Sequence, residues 1–190
     1  MKTLLISAAL AAVALPTAAL AQQRSEILIV DSDRILSDCT ACKAANATLQ
    51  QRQTALRTRA EQLQQQLQTE GKPLQDQVEA LNGKEPDAAL KQKITAFQAK
   101  ERNAQTELAN SDNSLKSTAA NVQQQIGSKV VSIVEQVRAR RGAAIVLAKN
   151  ATIANDGAID VTAEVLTALN QQLPTVSVTP LPQPAQPQGR

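Results

Sequence analysis

The chain has 190 residues, with 20 basic and 17 acidic side chains, two cysteines, one phenylalanine and no histidine, tryptophan or tyrosine. Without histidine, a Ser/His/Asp triad and the commonest metal ligand are excluded, and two cysteines alone do not form a zinc site within one chain. The mildly basic charge, with no aromatic platform for base stacking, also argues against nucleic-acid binding. We therefore expect no catalytic, cofactor or metal residues.

Residues 1–21 have the layout of a secretory signal. Lys2 precedes an apolar run from Leu4 to Leu15, and Ala19-Leu20-Ala21 forms a small-x-small cleavage site. The run is shorter than the roughly 20 residues that span a bilayer, which argues against an uncleaved anchor. We expect cleavage after Ala21 and export of the mature chain.

The mature chain begins with a predicted buried strand. Residues 26–31 contain four consecutive apolar positions between polar ones, and Asp31, Ser32 or Asp33 can cap a helical turn that follows. Next comes a C-x-x-C motif, Cys39 to Cys42. Its alternatives are a local structural disulfide, two unpaired thiols or a redox-active pair.

Two long helical runs follow, separated by a Gly/Pro break at residues 82–87. Leucines in the first run recur at steps of seven and four, and apolar residues in the second at steps of seven, four and three. This is the spacing of a coiled-coil seam. Paired positions in an antiparallel hairpin have a constant sum. Six pairs sum to 171: Leu49/Val122, Leu56/Leu115, Leu63/Leu108, Leu67/Ala104, Leu74/Phe97 and Leu81/Leu90. The pattern predicts one helical hairpin that turns inside the break.

A weak point is predicted in the first arm. Gly71 weakens the helix and Pro73 removes a backbone donor. In the register in which facing positions sum to 171, Glu70 lies opposite Glu101, and the two carboxylates repel each other. The alternatives are a simple kink and a point at which the arm flexes.

Both ends of the mature chain contribute to a small second unit. Beyond Val122 the apolar stripe widens, Gly142 is a candidate helix cap, and residues 143–148 read as a second buried strand. A third short strand is expected at 151–154, then a last helix from Asp160 or Thr162. Residues 174–190 are rich in proline and are expected to be a disordered tail.

The predicted fold is mainly α with a small β body. The body comprises residues 22–42 and 127–173 in an α+β arrangement, and the hairpin arm, residues 43–126, projects from it with its tip at 82–87. A core of about 60 residues is marginal by itself, so we expect a homo-oligomer that shares one body.

Basic residues concentrate near the open end of the hairpin, at Arg52, Arg57, Arg59, Arg138, Arg140 and Arg141. They can form a solvated face and complement a helix C-terminus, or they can attract acidic clients or an anionic membrane surface.

The order of these segments resembles that of the Skp (OmpH-type) periplasmic chaperones of Gram-negative bacteria. The specific stretches are the terminal ones: residues 27–31 with Arg34-Ile35-Leu36, residues 145–147 and residues 159–166. The long hairpin between them fits the family but would be weak evidence alone. The resemblance implies a periplasmic homotrimer whose arms enclose a cavity for unfolded outer-membrane proteins and which acts without ATP. The sparse lysines of the arms and the C-x-x-C motif depart from the family pattern.

Two other functions remain open at this point. The hairpin could serve a periplasmic spacer or adaptor whose tip docks to a partner. Cys39 and Cys42 could instead belong to a thiol-disulfide protein.

Overall fold

The computed structural model describes residues 26–182, so the predicted signal peptide and residues 183–190 lie outside the described part. In chain order the main elements are β1 (Glu26–Val30), α1 (Ser32–Asp38), α2 (Thr40–Glu79), α3 (Ala88–Arg141), β2 (Ala143–Ala148) and α4 (Thr162–Gln172). Short 3-10 turns lie at Lys149–Ala151 and Gly157–Ile159.

Helices α2 and α3 form the long hairpin, called the arm below. Between them the chain reverses through Asn82 and Gly83, whose φ angles are 47° and 85°. Asp87 then caps α3, since its Oδ1 accepts a hydrogen bond from Leu90 N at 2.8 Å. The predicted fold class, mainly α with a small β part and a long helical hairpin, is confirmed.

The far end of α3 leads directly into the second strand. Gly142 adopts the left-handed conformation, with φ of 65°, and its N–H bonds back to the carbonyl of Ala139, as a glycine cap does. Strand β2 then pairs with β1 in parallel, with Ile27 beside Ile145 and Ile29 beside Leu147. The whole hairpin is therefore the crossover between two adjacent parallel strands.

The core lies where the strands, α1, α4 and the root of the arm meet; these elements are called the body below. Helix α1 contributes Ile35, the end of α3 contributes Ile133 and Val137, and α4 contributes Val165 and Leu169, all fully buried. The same cluster includes Ala45, Val122 and Ile126, so the packing continues a short way beyond residues 42 and 127 into the arm.

Two predictions in the last third of the chain are wrong. No strand forms at residues 151–154, because Thr152 N closes a turn onto Lys149 O and Asp160 takes the bridge to β1 at Ile29. The predicted disordered tail is also wrong for residues 174–182, which lie along α3. Proline prevents helix there, but Val176 and Val178 still pack against the core.

Candidate functional site

Grooves open between α2 and α3 along the arm. The side chains that line them include Leu56 and Leu115 in one groove, and Leu63, Leu67, Ala104 and Leu108 in another. Leu63 and Ala104 are buried, whereas Leu56, Leu67, Leu108 and Leu115 stay partly exposed. A hairpin of only two helices covers its seam incompletely. The arm therefore presents partly exposed leucines to the solvent.

Polar amide side chains border these leucines. Four glutamines line the groove that holds Leu63 and Leu67: Gln64, Gln68, Gln75 and Gln105. Such a surface offers weak apolar contacts and amide hydrogen bonds side by side, without a fixed geometry. It suits a ligand that is large, irregular and partly apolar.

The single phenylalanine explains the glycine of the first arm. A Cβ added to Gly71 would lie 2.8 Å from Phe97 Cζ, so the ring tip occupies the space that any side chain would need. Phe97 reaches Gly71 and Leu74 in the same groove. Sequence reasoning assigned Gly71 to a weak point and did not find this close approach.

The remaining residues of the predicted flex point also have partners or neighbours. Helix α2 continues through Pro73, whose carbonyl accepts a hydrogen bond from Gln77 Nε2. Glu70 forms an ion pair with Lys100 on the opposite helix, and Glu101 lies in the groove beside Gly71. Lys100 supplies Glu70 with a countercharge that the sequence analysis did not consider, and flexing of the arm at this point stays a prediction.

Several basic residues near the root of the arm contact acidic residues of the same chain. Arg138 donates to both carboxylate oxygens of Glu135 and to the carbonyl of Ala143. Arg140 and Arg141 both bind Glu164 of α4, and these hydrogen bonds lower the pKa of that carboxyl. These three arginines therefore tie the end of α3 to its neighbours.

A fourth arginine crosses the arm. Arg59 Nε and Nη2 bind the two carboxylate oxygens of Glu107 at 2.6 and 3.1 Å, and the hydrogen bond lowers the pKa of Glu107. Arg52 and Arg57 lie exposed on the same helix. Attraction to acidic clients or an anionic membrane surface would depend on them more than on the paired arginines.

Cys39 and Cys42 are joined by a disulfide, with their Cα atoms 5.1 Å apart. The pair spans the junction between α1 and α2, and both residues are almost fully buried. Thiol exchange requires direct access of an attacking thiolate to a sulfur atom. This burial suits a local structural crosslink better than an exchange site.

One face of the small sheet is open at the end that carries Ile27 and Ile145, whereas Ile29 on the same face is buried. Ile27 and Ile145, which are neighbours across the two strands, are 46% and 45% exposed, and Val131 of α3 is 70% exposed. In the described part of the chain β2 has no strand partner other than β1. Parallel sheets are normally covered on both faces. The exposed isoleucines are therefore a candidate subunit interface.

A polar cluster that sequence reasoning did not find fixes the start of α4. Asp160 Oδ1 accepts hydrogen bonds from Thr162 N and Oγ1, at 3.0 and 2.5 Å, and Lys149 Nζ lies 3.0 Å from Asp160 Oδ2. Thr162 Oγ1 in turn accepts from Asp31 N. The hydrogen bonds from Thr162, helped by Lys149, lower the pKa of Asp160 to about 2.

Within residues 26–182, no group of three or more cysteine, aspartate and glutamate side chains is placed to hold a metal ion. Over the same residues, no helix combines the length and apolar character needed to cross a membrane.

Known proteins share this architecture. A model of the family "Outer membrane protein (OmpH-like)" matches residues 26–169. A crystal structure from Caulobacter crescentus, of a candidate outer membrane chaperone (OmpH-like), has a TM-score of 0.67 and 20% sequence identity; the match covers 95% of this chain and 100% of that one. At that identity the likeness shows the fold. Comparison with curated sequences gives no significant match.

Proposed function

Because the chain belongs to the OmpH-like outer membrane protein family, we propose that it is an ATP-independent periplasmic holdase chaperone for unfolded outer-membrane proteins. The observation that carries the proposal is the set of partly exposed leucines, bordered by glutamines, along the arm. An unfolded chain exposes apolar surface in no fixed arrangement, so many weak contacts retain it better than one shaped pocket.

The proposed active form is a homotrimer. An oligomer is supported by the exposed Ile27 and Ile145 and by the small size of the body. The number three comes from the family resemblance. Three bodies that share this face would hold three arms around one cavity. The proposed periplasmic location follows from the signal pattern of residues 1–21.

Aggregation of a client tests the holdase directly. A urea-unfolded outer-membrane β-barrel is diluted into buffer without nucleotide, with or without the mature chain beginning at Gln22, and light scattering is followed. We expect suppression at about one oligomer per client. Undiminished scattering at a stoichiometric excess of chaperone would contradict the proposal.

A matched pair of variants locates the contact. Leu67 lines a groove, whereas its neighbour Gln66 is exposed and not among the groove residues. Leu67→Gln should weaken suppression several-fold and Gln66→Ala should not, provided that circular dichroism shows equal helix content for both.

A tip-docking adaptor is the competing function, and the cap of α3 shapes its test. Asp87 caps α3, so replacing it by alanine would damage the helix as well as the tip. Lys84→Ala with Glu85→Ala leaves the cap intact. A holdase tolerates this double variant, whereas an adaptor that docks through its tip does not.

A further inference from the structure

Residues 174–182, called the tail segment, lie in an extended conformation against one side of α3. Gln125 Nε2 donates to Ser177 O at 3.0 Å, and Gln125 Oε1 accepts from Ser177 N at 2.9 Å. Asn121 Nδ2 donates to Thr179 O at 2.9 Å, and Ser117 Oγ accepts from Leu181 N at 3.0 Å. The three side chains Ser117, Asn121 and Gln125 are called the ladder below.

All four of these hydrogen bonds go to main-chain atoms of the tail segment. The hydroxyls of Ser177 and Thr179 contact each other and not α3. The ladder therefore recognises an extended backbone and is indifferent to the polar side chains that the backbone carries. Val176 and Val178 add apolar contacts to the core.

The spacing of the ladder explains this recognition. Its members are four residues apart on a helix, which corresponds to a rise of about 6.0 Å per step. The residues that they bind are two apart in an extended chain, which advances about 6.2 to 6.6 Å per step. Asn113, one further step along α3, is exposed and continues the same spacing. Any extended polypeptide fits such a track.

The tail segment is held in a way that permits release. Three of its four hydrogen bonds to α3 are exposed, so that water can replace them, and fixing an extended chain costs conformational entropy. The amide groups of the ladder are in turn oriented by each other, because Gln125 Nε2 also donates to Asn121 Oδ1 at 3.1 Å. The two amides of the ladder are therefore joined by a contact that does not involve the tail segment.

We propose that the ladder is a docking track for extended stretches of unfolded polypeptide, and that the tail segment occupies it in cis as a built-in competitor. The proposal rests on the proposed holdase function, because an unfolded client supplies the competing backbone. The proposal adds a defined binding site at the root of the arm. A client must displace the tail segment before it can bind there.

A peptide test examines the track without a client. The probe is a fluorescein-labelled synthetic peptide with the sequence of residues 174–182, and the protein is the mature chain ending at Leu173. We expect binding that is at least tenfold tighter than to the full mature chain. Asn121→Ala with Gln125→Ala in the truncated chain should abolish it, whereas Gln124→Ala, an exposed neighbour, should not.

Chemical changes to the probe separate main-chain from side-chain recognition. N-methylation at Ser177 and Leu181 removes both donors and should abolish binding. Replacing Ser177 and Thr179 of the peptide by alanine should leave the affinity unchanged. Equal binding of the N-methylated and unmodified peptides would overturn the track.

A client test completes the argument. Truncation at Leu173, or Ser177→Pro in the full chain, should tighten binding of a urea-unfolded outer-membrane β-barrel at least threefold, since each frees the ladder. Unchanged affinity in both, or a gain that survives Asn121→Ala with Gln125→Ala, would overturn the inference while leaving the holdase intact. Absence of client binding in every form, with peptide binding retained, would overturn the holdase function and keep the track.

Discussion

At the scale of single residues, the carboxyl of Asp160 is held by three hydrogen bonds in the body. It joins the start of α4 to Lys149 and, through Thr162, to the end of β1. Its pKa of about 2 lies below the ordinary 3.8, so folding favours its charged form. That stabilisation is present above about pH 4 and is lost as the pH falls through about 2.

Asp160→Asn tests this contribution. The variant keeps the shape of the side chain but loses the charge, so the free energy of unfolding at pH 7 should fall by at most about 2 kcal/mol. Urea unfolding between pH 7 and pH 2 should also show a weaker decline below pH 4 than in the unmodified chain. Asp112→Asn, which removes an exposed pair with Lys116, is the control and should change stability by less than about 0.5 kcal/mol. Equal acid profiles for Asp160→Asn and the unmodified chain would contradict this role.

The contact between Gly71 and Phe97 gives a second prediction at this scale. Alanine is favoured over glycine in a helix by about 1 kcal/mol, but in the native arm its Cβ would meet the ring. Gly71→Ala should therefore stabilise the Phe97→Ala variant by about 0.5 to 1 kcal/mol and give no such gain with Phe97 present. Thermal melts of the four proteins measure the coupling; strictly additive effects would rule the contact out as the reason for Gly71.

At the scale of elements, the arm is the feature that the sequence predicted best. A seven-residue repeat in two runs around a Gly/Pro break predicts an antiparallel hairpin, and the structure contains it as α2 and α3. The body was harder to predict, because its sheet pairs strands separated by the entire arm and its polar cluster joins Asp31, Lys149 and Asp160. The tail segment was predicted to be disordered because of its proline content. Its alternation of Val176 and Val178 with polar residues is the pattern of an extended segment that packs on one side.

A crosslink tests the register of the arm. Leu56 and Leu115 line one groove, so cysteines at these positions, in a chain with Cys39→Ser and Cys42→Ser, should form a disulfide within one chain under mild oxidation. The pair Leu63 with Leu115 is out of register by seven residues, about 10 Å along the helix, and should remain reduced. Efficient crosslinking of the second pair instead of the first would contradict the predicted register, in which the numbers of facing residues sum to 171.

At the scale of the whole molecule, the long arm and the small body depend on each other. The arm lies between the two strands in sequence, and its root supplies Val122, Ile126, Ile133 and Val137 to the core. The sheet that closes this core leaves Ile27 and Ile145 uncovered. In the proposed homotrimer, other copies of the chain would cover them, and the arms would surround a shared space for the proposed unfolded client.

Solution mass is the most direct test of this assembly. Multi-angle light scattering of the mature chain should give three times the mass of one chain. Ile145→Glu, on the open sheet face, should lower that mass, whereas Ile153→Glu, at a fully exposed position, should not. A mass of one chain for the unmodified protein at micromolar concentration would contradict the shared body, and with it the cavity on which the proposed function depends.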